Sequence, residues 1–143
     1  MQTDKKRIAM TTKQIITTII LTITAILAQG QTQVVAMQAG LHNSVSVQQL
    51  QSAGSEVKVV QVGNYNEAQV VQQQSVHSAV VIGQEGHNNS AMVAQRQAQY
   101  SQVLVQQQGQ MNQAQIVQSG AYNTAMIAQS GTGNTAVVVQ GTF

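Results

Sequence analysis

Glutamine returns at a constant spacing near the end of the chain: Gln107, Gln118, Gln129 and Gln140 lie eleven residues apart. Each interval opens with a glycine (Gly109, Gly120, Gly131), followed three residues later by an asparagine (Asn112, Asn123, Asn134) and then by an alanine (Ala114, Ala125, Ala136). A period this strict marks a repeat architecture, in which one supersecondary unit recurs and stacks on its neighbours. Parity identifies the unit. Asn112, Ala114, Ile116 and Gln118 share one parity, as do Asn123, Ala125, Ile127, Gln129 and Asn134, Ala136, Val138, Gln140. Residues two apart point to the same side of a β-strand, so each set lines one face of a strand. The Gly-x-x segment is then the turn, because glycine accepts the positive φ of a tight reversal and asparagine tolerates it better than most residues.

The same frame extends upstream. Glutamines 38, 49, 61, 72, 84, 95 and 107 alternate spacings of eleven and twelve, because the connection between units is one residue longer than the turn inside a unit. Five strand-turn-strand units follow, over about 32–49, 55–72, 78–95, 101–118 and 123–140. The first carries Thr32, Gln38, Asn43 and Gln49; the second Ser55, Gln61, Asn66 and Gln72; the third Ser78, Gln84, Asn89 and Gln95. The fourth carries Ser101, Gln107, Asn112 and Gln118, and in the fifth Asn123 stands where serine stood, ahead of Gln129, Asn134 and Gln140. The expected fold is all-β: a β-solenoid of five stacked repeats forming two parallel, amyloid-like sheets. Parallel stacking sets Gln over Gln and Asn over Asn, so their amides can bond along a ladder. The serine hydroxyls bond within the stack and the aliphatics between them form a dry interior. One repeat alone buries too few aliphatics to order its roughly twenty residues, so stability has to come from neighbours.

Composition supports order over disorder. Twenty-eight glutamines with only 7% charged residues would suit a disordered prion-like segment, but the fixed positions of glutamine and aliphatics call for a regular β-structure. The lack of cysteine excludes a disulfide framework and thiolate metal sites. The net charge of +2 is concentrated at one end: Asp4, Lys5, Lys6, Arg7 and Lys13 lie in the first thirteen residues, leaving Lys58 and Arg96 against Glu56, Glu67 and Glu85, or −1. No basic patch remains to hold a phosphate backbone, so a nucleic-acid partner is not expected.

Residues 1–30 have the layout of a secretory signal peptide: a basic start, the apolar Thr-rich run Ile15 to Leu27, and Ala28-Gln29-Gly30 as a small-x-small cleavage site. Those thirteen apolar residues fall short of the roughly 20 a membrane-spanning helix needs. The expected mature chain, 31–143, therefore has no membrane span and is exported. Its first strand starts beside the cleavage site and its last ends three residues before the terminus, so both ends of the stack are expected to be open strand edges that template another copy.

No catalytic, cofactor-binding or metal site is expected. After residue 30 there is no Asp or Cys, the Glu residues are scattered, and no nucleophile stands beside a base. His42 and His87 occupy related turn positions two repeats apart and read as solvated turn residues rather than a stacked metal pair. A monomeric β-solenoid binding ice or polysaccharide would show an outward array of one residue type, which Val35, Lys58, Val81, Leu104 and Met126 do not form.

The pattern Ser-x5-Gln-x-Gly-x-x-Asn-x-Ala-x3-Gln, carried by Ser55–Gln72, Ser78–Gln95 and Ser101–Gln118, resembles the curlin repeat of bacterial curli subunits. The resemblance implies an extracellular functional amyloid, exported to the periplasm, passed through a dedicated outer-membrane secretion channel with accessory proteins, and assembled into adhesive biofilm fibres (pilus-like curli) at the cell surface. The implied partners are further copies of the chain, as a homo-polymer, or a second curli subunit. The family has a major, fibre-building subunit and a minor, nucleating one; the ladder unbroken to Gln140 points to fibre building, with the nucleator as the alternative. Unlike the usual family member, the chain has Thr32 already in a Ser-type position, without a preceding export stretch.

Overall fold

The computed structural model describes residues 19–26 and 32–141. The basic start and the cleavage site of the expected leader lie outside the described residues. Period-two alternation produces strands throughout: β1 (Ile19–Ile26), β2 (Gln33–Ala39), β3 (Asn43–Leu50), β4 (Glu56–Asn64), β5 (Glu67–Gln73), β6 (Ala79–His87), β7 (Ser90–Gln99), β8 (Gln102–Gln110), β9 (Gln113–Ala121), β10 (Thr124–Thr132) and β11 (Thr135–Gly141). Successive strands from β2 onward go to opposite sheets. One sheet has the order β1-β3-β5-β7-β9-β11 and the other β2-β4-β6-β8-β10. Every pairing is parallel. Each repeat thus supplies one strand to each sheet, and the chain is a β-solenoid of five turns, about 24 Å tall at roughly 4.8 Å per turn.

Register superposes like on like. Gln61 pairs with Gln38 and Gln84, Val59 with Ala36 and Ile82, and Gly63 with Gly86. In the last turn Gln129 pairs with Gln107 and Gln140 with Gln118. The shorter final spacing is absorbed in the connection, where β7 and β9 shift register between Arg96 and Gln99. The interior is dry and aliphatic: Val45, Val47, Val57, Val59, Val70, Val80, Ile82, Val93, Val105 and Ile116 have no exposed surface, and Val34, Ala36, Ala136 and Val138 close it at the two ends.

The turns depend on one glycine column. Gly40, Gly63, Gly86, Gly109 and Gly131 all have φ between 108° and 119°. A Cβ on Gly63, Gly86 or Gly109 would sit 2.0 Å from the carbonyl oxygen of the glycine in the next turn, so only glycine lets these corners stack. The second positive φ of the turn, expected at asparagine, falls one residue earlier, at His42, Tyr65, Asn88, Met111 and Gly133. The asparagines are instead turned inward, each donating from Nδ2 to the carbonyl four residues back, as in Asn43 to Ala39 (3.1 Å) and Asn123 to Ser119 (2.8 Å).

Two further features depart from the sequence expectation. The connections between repeats bury Ser52, Ser75 and Ala98, a column of small residues that fills the corner. Residues 19–26 form an eleventh strand, paired in parallel with β3 from Ile19 opposite Asn43 to Ile26 opposite Leu50. One of the edges expected to be open is therefore covered by this strand.

Glycine substitutions separate the corner constraint from general sensitivity. Gly86→Ala, with its carbonyl clash and positive φ, is expected to cost about 3 kcal/mol or more. Gly83→Ala, whose nearest neighbour is Val105 O at 4.0 Å, stays within about 0.5 kcal/mol of the parent in chemical denaturation. Equal losses at both positions would contradict the corner argument.

Candidate self-assembly site: the amide ladders and the two end faces

Two glutamine ladders run the height of the solenoid. In one sheet Gln38 Nε2 donates to Gln61 Oε1 (2.7 Å), Gln61 to Gln84 (2.7 Å), Gln84 to Gln107 (2.8 Å) and Gln107 to Gln129 (2.9 Å). In the other, Gln49 donates to Gln72 (2.7 Å), Gln72 to Gln95 (2.8 Å), Gln95 to Gln118 (2.9 Å) and Gln118 to Gln140 (2.9 Å). The second amide hydrogen crosses to a backbone carbonyl of the facing sheet: Gln61 to Ser44, Gln84 to Glu67, Gln107 to Ser90 and Gln129 to Gln113. The ladders therefore tie turn to turn and sheet to sheet. In a dry interior an unpaired amide costs roughly 1–3 kcal/mol, so each rung depends on the one beside it.

The asparagine column works through both backbone and side chain. The N–H groups of Asn66, Asn89, Asn112 and Asn134 donate to the Oδ1 of the asparagine one turn back, at 3.0–3.2 Å. Nδ2 of Asn43, Asn66, Asn89 and Asn112 donates forward to the carbonyl of Gly63, Gly86, Gly109 and Gly131 respectively, at 2.8–3.1 Å. Asparagine is needed here because it can hold the corner glycine of the next turn and also receive that turn's backbone N–H. Ser55, Ser78 and Ser101 are buried and donate to the carbonyls of Ser75, Ala98 and Gly120 in the following turn. Asn123 takes the Ser101 hydroxyl as acceptor through its N–H at 3.3 Å, which keeps the column continuous where the residue type changes.

The ladders end differently at the two faces. At the N-terminal face, Gln38 Oε1 and Gln49 Oε1 are buried and have no partner among the described residues. At the C-terminal face, Gln129 and Gln140 each use one amide hydrogen on a facing carbonyl, Gln113 and Thr124, and have no further turn to receive the other among the described residues. The outer edges of β2, β10 and β11 have no partner strand among the described residues. All the residues expected to form the ladder thus lie in continuous columns inside the chain. The direction of the amides, the close stacking of the turn glycines and the buried Ser52 and Ser75 have no counterpart in the sequence reading; the recurrence of Ser52, Ser75 and Ala98 at intervals of 23 was the available signal for the last.

The outer surface lacks a regular array. Val35, Lys58, Val81, Leu104 and Met126 do stack as one column, but with mixed chemistry. A shallow groove of about 490 Å³ lies over Gly83, between Val60, Gln106 and Ala128. Aromatic rings stack at the corners, His42 on Tyr65 at 4.7 Å, and His77, Tyr100 and Tyr122 in sequence at 5.3 and 5.5 Å. His42 and His87 prove to belong to different columns: residue 42 is stacked with Tyr65, whereas His87 pairs with Asn64 and Gln110 in the strand. Among the described residues no three His, Asp or Glu side chains gather to hold a metal ion, and no helix is long and apolar enough to cross a membrane.

A parallel solenoid with inward Gln, Asn and Ser columns defines a class of stacking repeat proteins. Residues 111–141 match the family model of the curlin associated repeat. The chain thus carries a curlin-type repeat over that segment. No curated protein and no solved structure matches it.

Removal of a central rung tests the ladder directly. Gln84→Ala leaves one hydrogen of Gln61 Nε2 and the Oε1 of Gln107 without partners and opens a void, and is expected to destabilise the five-turn stack by about 2–4 kcal/mol. The outward Gln106→Ala is expected to shift stability by less than about 0.5 kcal/mol, both read by denaturant titration.

Proposed function

We propose that this chain is a structural subunit of an extracellular curli-type amyloid fibre that grows by templated stacking and serves adhesion and the biofilm matrix. The observation that carries the reading is that both glutamine ladders run without a break through five turns and stop at faces whose amides still have bonds to make. A fibre end presents ordered strands, so an incoming chain gains the neighbour its first turn cannot do without. Segment 1–30 is read as the export leader and 31–143 as the mature subunit. The partners are further copies or a second curli subunit, with a secretion channel and accessory proteins handling export. The ladder complete to Gln140 supports fibre building over a purely nucleating role. The mixed outward column supports no regular surface ligand, which weighs against a monomeric ice- or polysaccharide-binding solenoid.

The terminal rungs test the proposal. In residues 31–143 diluted from denaturant, Gln49→Ala with Gln140→Ala is expected to lengthen the lag and slow elongation about tenfold, the cost of roughly one lost hydrogen bond per joint. Unchanged lag and elongation would refute a ladder role in assembly.

A further inference from the structure

The two end faces of the solenoid are complementary to each other, and neither is complementary to itself. Every rung of both glutamine ladders donates from the N-terminal turn to the C-terminal one. The N-terminal face therefore ends in two acceptors, Gln38 Oε1 and Gln49 Oε1, buried and without partners among the described residues. The C-terminal face ends in the amide groups of Gln129 and Gln140, each with one hydrogen committed and one to spare. The asparagine column is directional too: each N–H donates back to the preceding Oδ1 while Nδ2 donates forward to a glycine carbonyl, and Asn134, the last member, has no glycine carbonyl ahead of it among the described residues, such as Asn112 finds in Gly131. The glycine column agrees. Gly40, at the other end, packs on Gly63, whereas a Cβ on Gly131 would meet only Asn134 Nδ2, at 3.6 Å, so the position above Gly131 is open for another glycine.

A third observation shows what the N-terminal face accepts. Segment β1 lies on the outer edge of β3, parallel and in continuous register for eight residues, in the place that β11 of a further turn would take. It puts Ala25 opposite Gln49, where the repeats put glutamine, so it fills the edge without supplying the missing amide donor. Among the described residues it reaches only one of the two sheets, and β2 has no further neighbour.

The geometry points to a polar joint between copies of this chain, C-terminal face on N-terminal face, in which Gln129 and Gln140 of one copy donate to Gln38 and Gln49 of the next and the leader strand β1 competes for the β3 half of that joint. The inference rests on the fibre-subunit reading. Two C-terminal faces brought together would oppose donor to donor, and two N-terminal faces acceptor to acceptor, leaving buried amides unpaired. Only the polar joint continues all columns in register. An uncleaved chain then adds through its own C-terminal face and blocks the end it has joined, so that removal of the leader switches growth on.

Proline substitutions that close one face at a time test this, because in a parallel ladder alternate residues point their N–H groups to opposite neighbours. Gln113 N bonds Asn134 O and Gln102 N bonds Asn123 O, so the N–H groups of Val137 and Met126 point away from the stack at the C-terminal face. Gln33 N bonds Ser55 O and Ser44 N bonds Asn66 O, so those of Ala36 and Val47 point away at the N-terminal face. Residues 31–143 contain all five turns and both ladders. In that chain, Met126→Pro with Val137→Pro and Ala36→Pro with Val47→Pro are each expected to stay monomeric alone, retain strand circular dichroism, and form a one-to-one heterodimer when mixed, read by light scattering. Homodimers of either variant, with no heterodimer, would overturn the polar joint while leaving the fibre reading intact. Failure of the parent chain to polymerise would overturn both. Should a proline pair unfold, Gln129→Leu with Gln140→Leu and Gln38→Leu with Gln49→Leu alter one face without touching the backbone; weaker joints between like variants than in the mixture support the polar joint, and equal joints overturn it.

The leader is tested with the full chain, 1–143. Added at a small fraction of the 31–143 concentration, it is expected to slow elongation several-fold, and Thr22→Pro with Thr24→Pro, placed where β1 faces β3, is expected to abolish the effect. Equal inhibition by the two full-length chains would overturn the competition.

Discussion

The amide hydrogen bond between equivalent glutamines in successive turns is the interaction on which the rest of the structure depends. Ten buried or half-buried glutamines line an otherwise aliphatic interior, and a primary amide without partners in such a place is strongly unfavourable. An interior amide such as Gln84 is satisfied by one bond up, one bond down and one across to the facing sheet. That arrangement requires a partner at the same height in the next turn. It fixes the register of every strand, because a slip of one residue would expose the aliphatics and bury the outward charges Glu56, Lys58 and Glu67.

The corner glycines and inward asparagines follow from the same need for identical neighbours. A turn in which the carbonyl of one glycine occupies the space of a Cβ on the last cannot be built from any other residue, and it repeats at every corner from Gly40 to Gly109. Aliphatic burial supplies the bulk of the favourable free energy, but it is not directional. The polar columns make the stack specific, and they also make it incomplete, since a ladder of finite length always ends in unpaired groups.

Much of this was legible in the sequence. The period-two parity gave the strands, the Gln spacing gave the turns of the solenoid, and the longer connections explained the spacing of twelve, later located in the register shift between Arg96 and Gln99. The backbone of the tight turn was less legible: the left-handed residue precedes asparagine and is His42, Tyr65 or Met111, because the corner constrains the asparagine side chain inward and leaves its exposed neighbour free in type. His42 and His87 both lie near a turn and read as related positions, but a repeat of 23 residues aligns residue 42 with Asn88. The strand formed by 19–26 could not be read from a leader-like composition, since an apolar Thr- and Ile-rich run serves a membrane-targeting segment and an edge strand equally well. The direction of the ladders has no sequence counterpart at all, because a glutamine reads the same whichever way its amide faces.

Fibre diffraction on assembled residues 31–143 is the most direct test that the chain is a self-templating stack. The account predicts an axial reflection near 4.7–4.8 Å, from hydrogen-bonded strands continuing across subunits, and an equatorial one near 10 Å from the two packed sheets. A soluble monomer that retains its strands and yields neither reflection would contradict it.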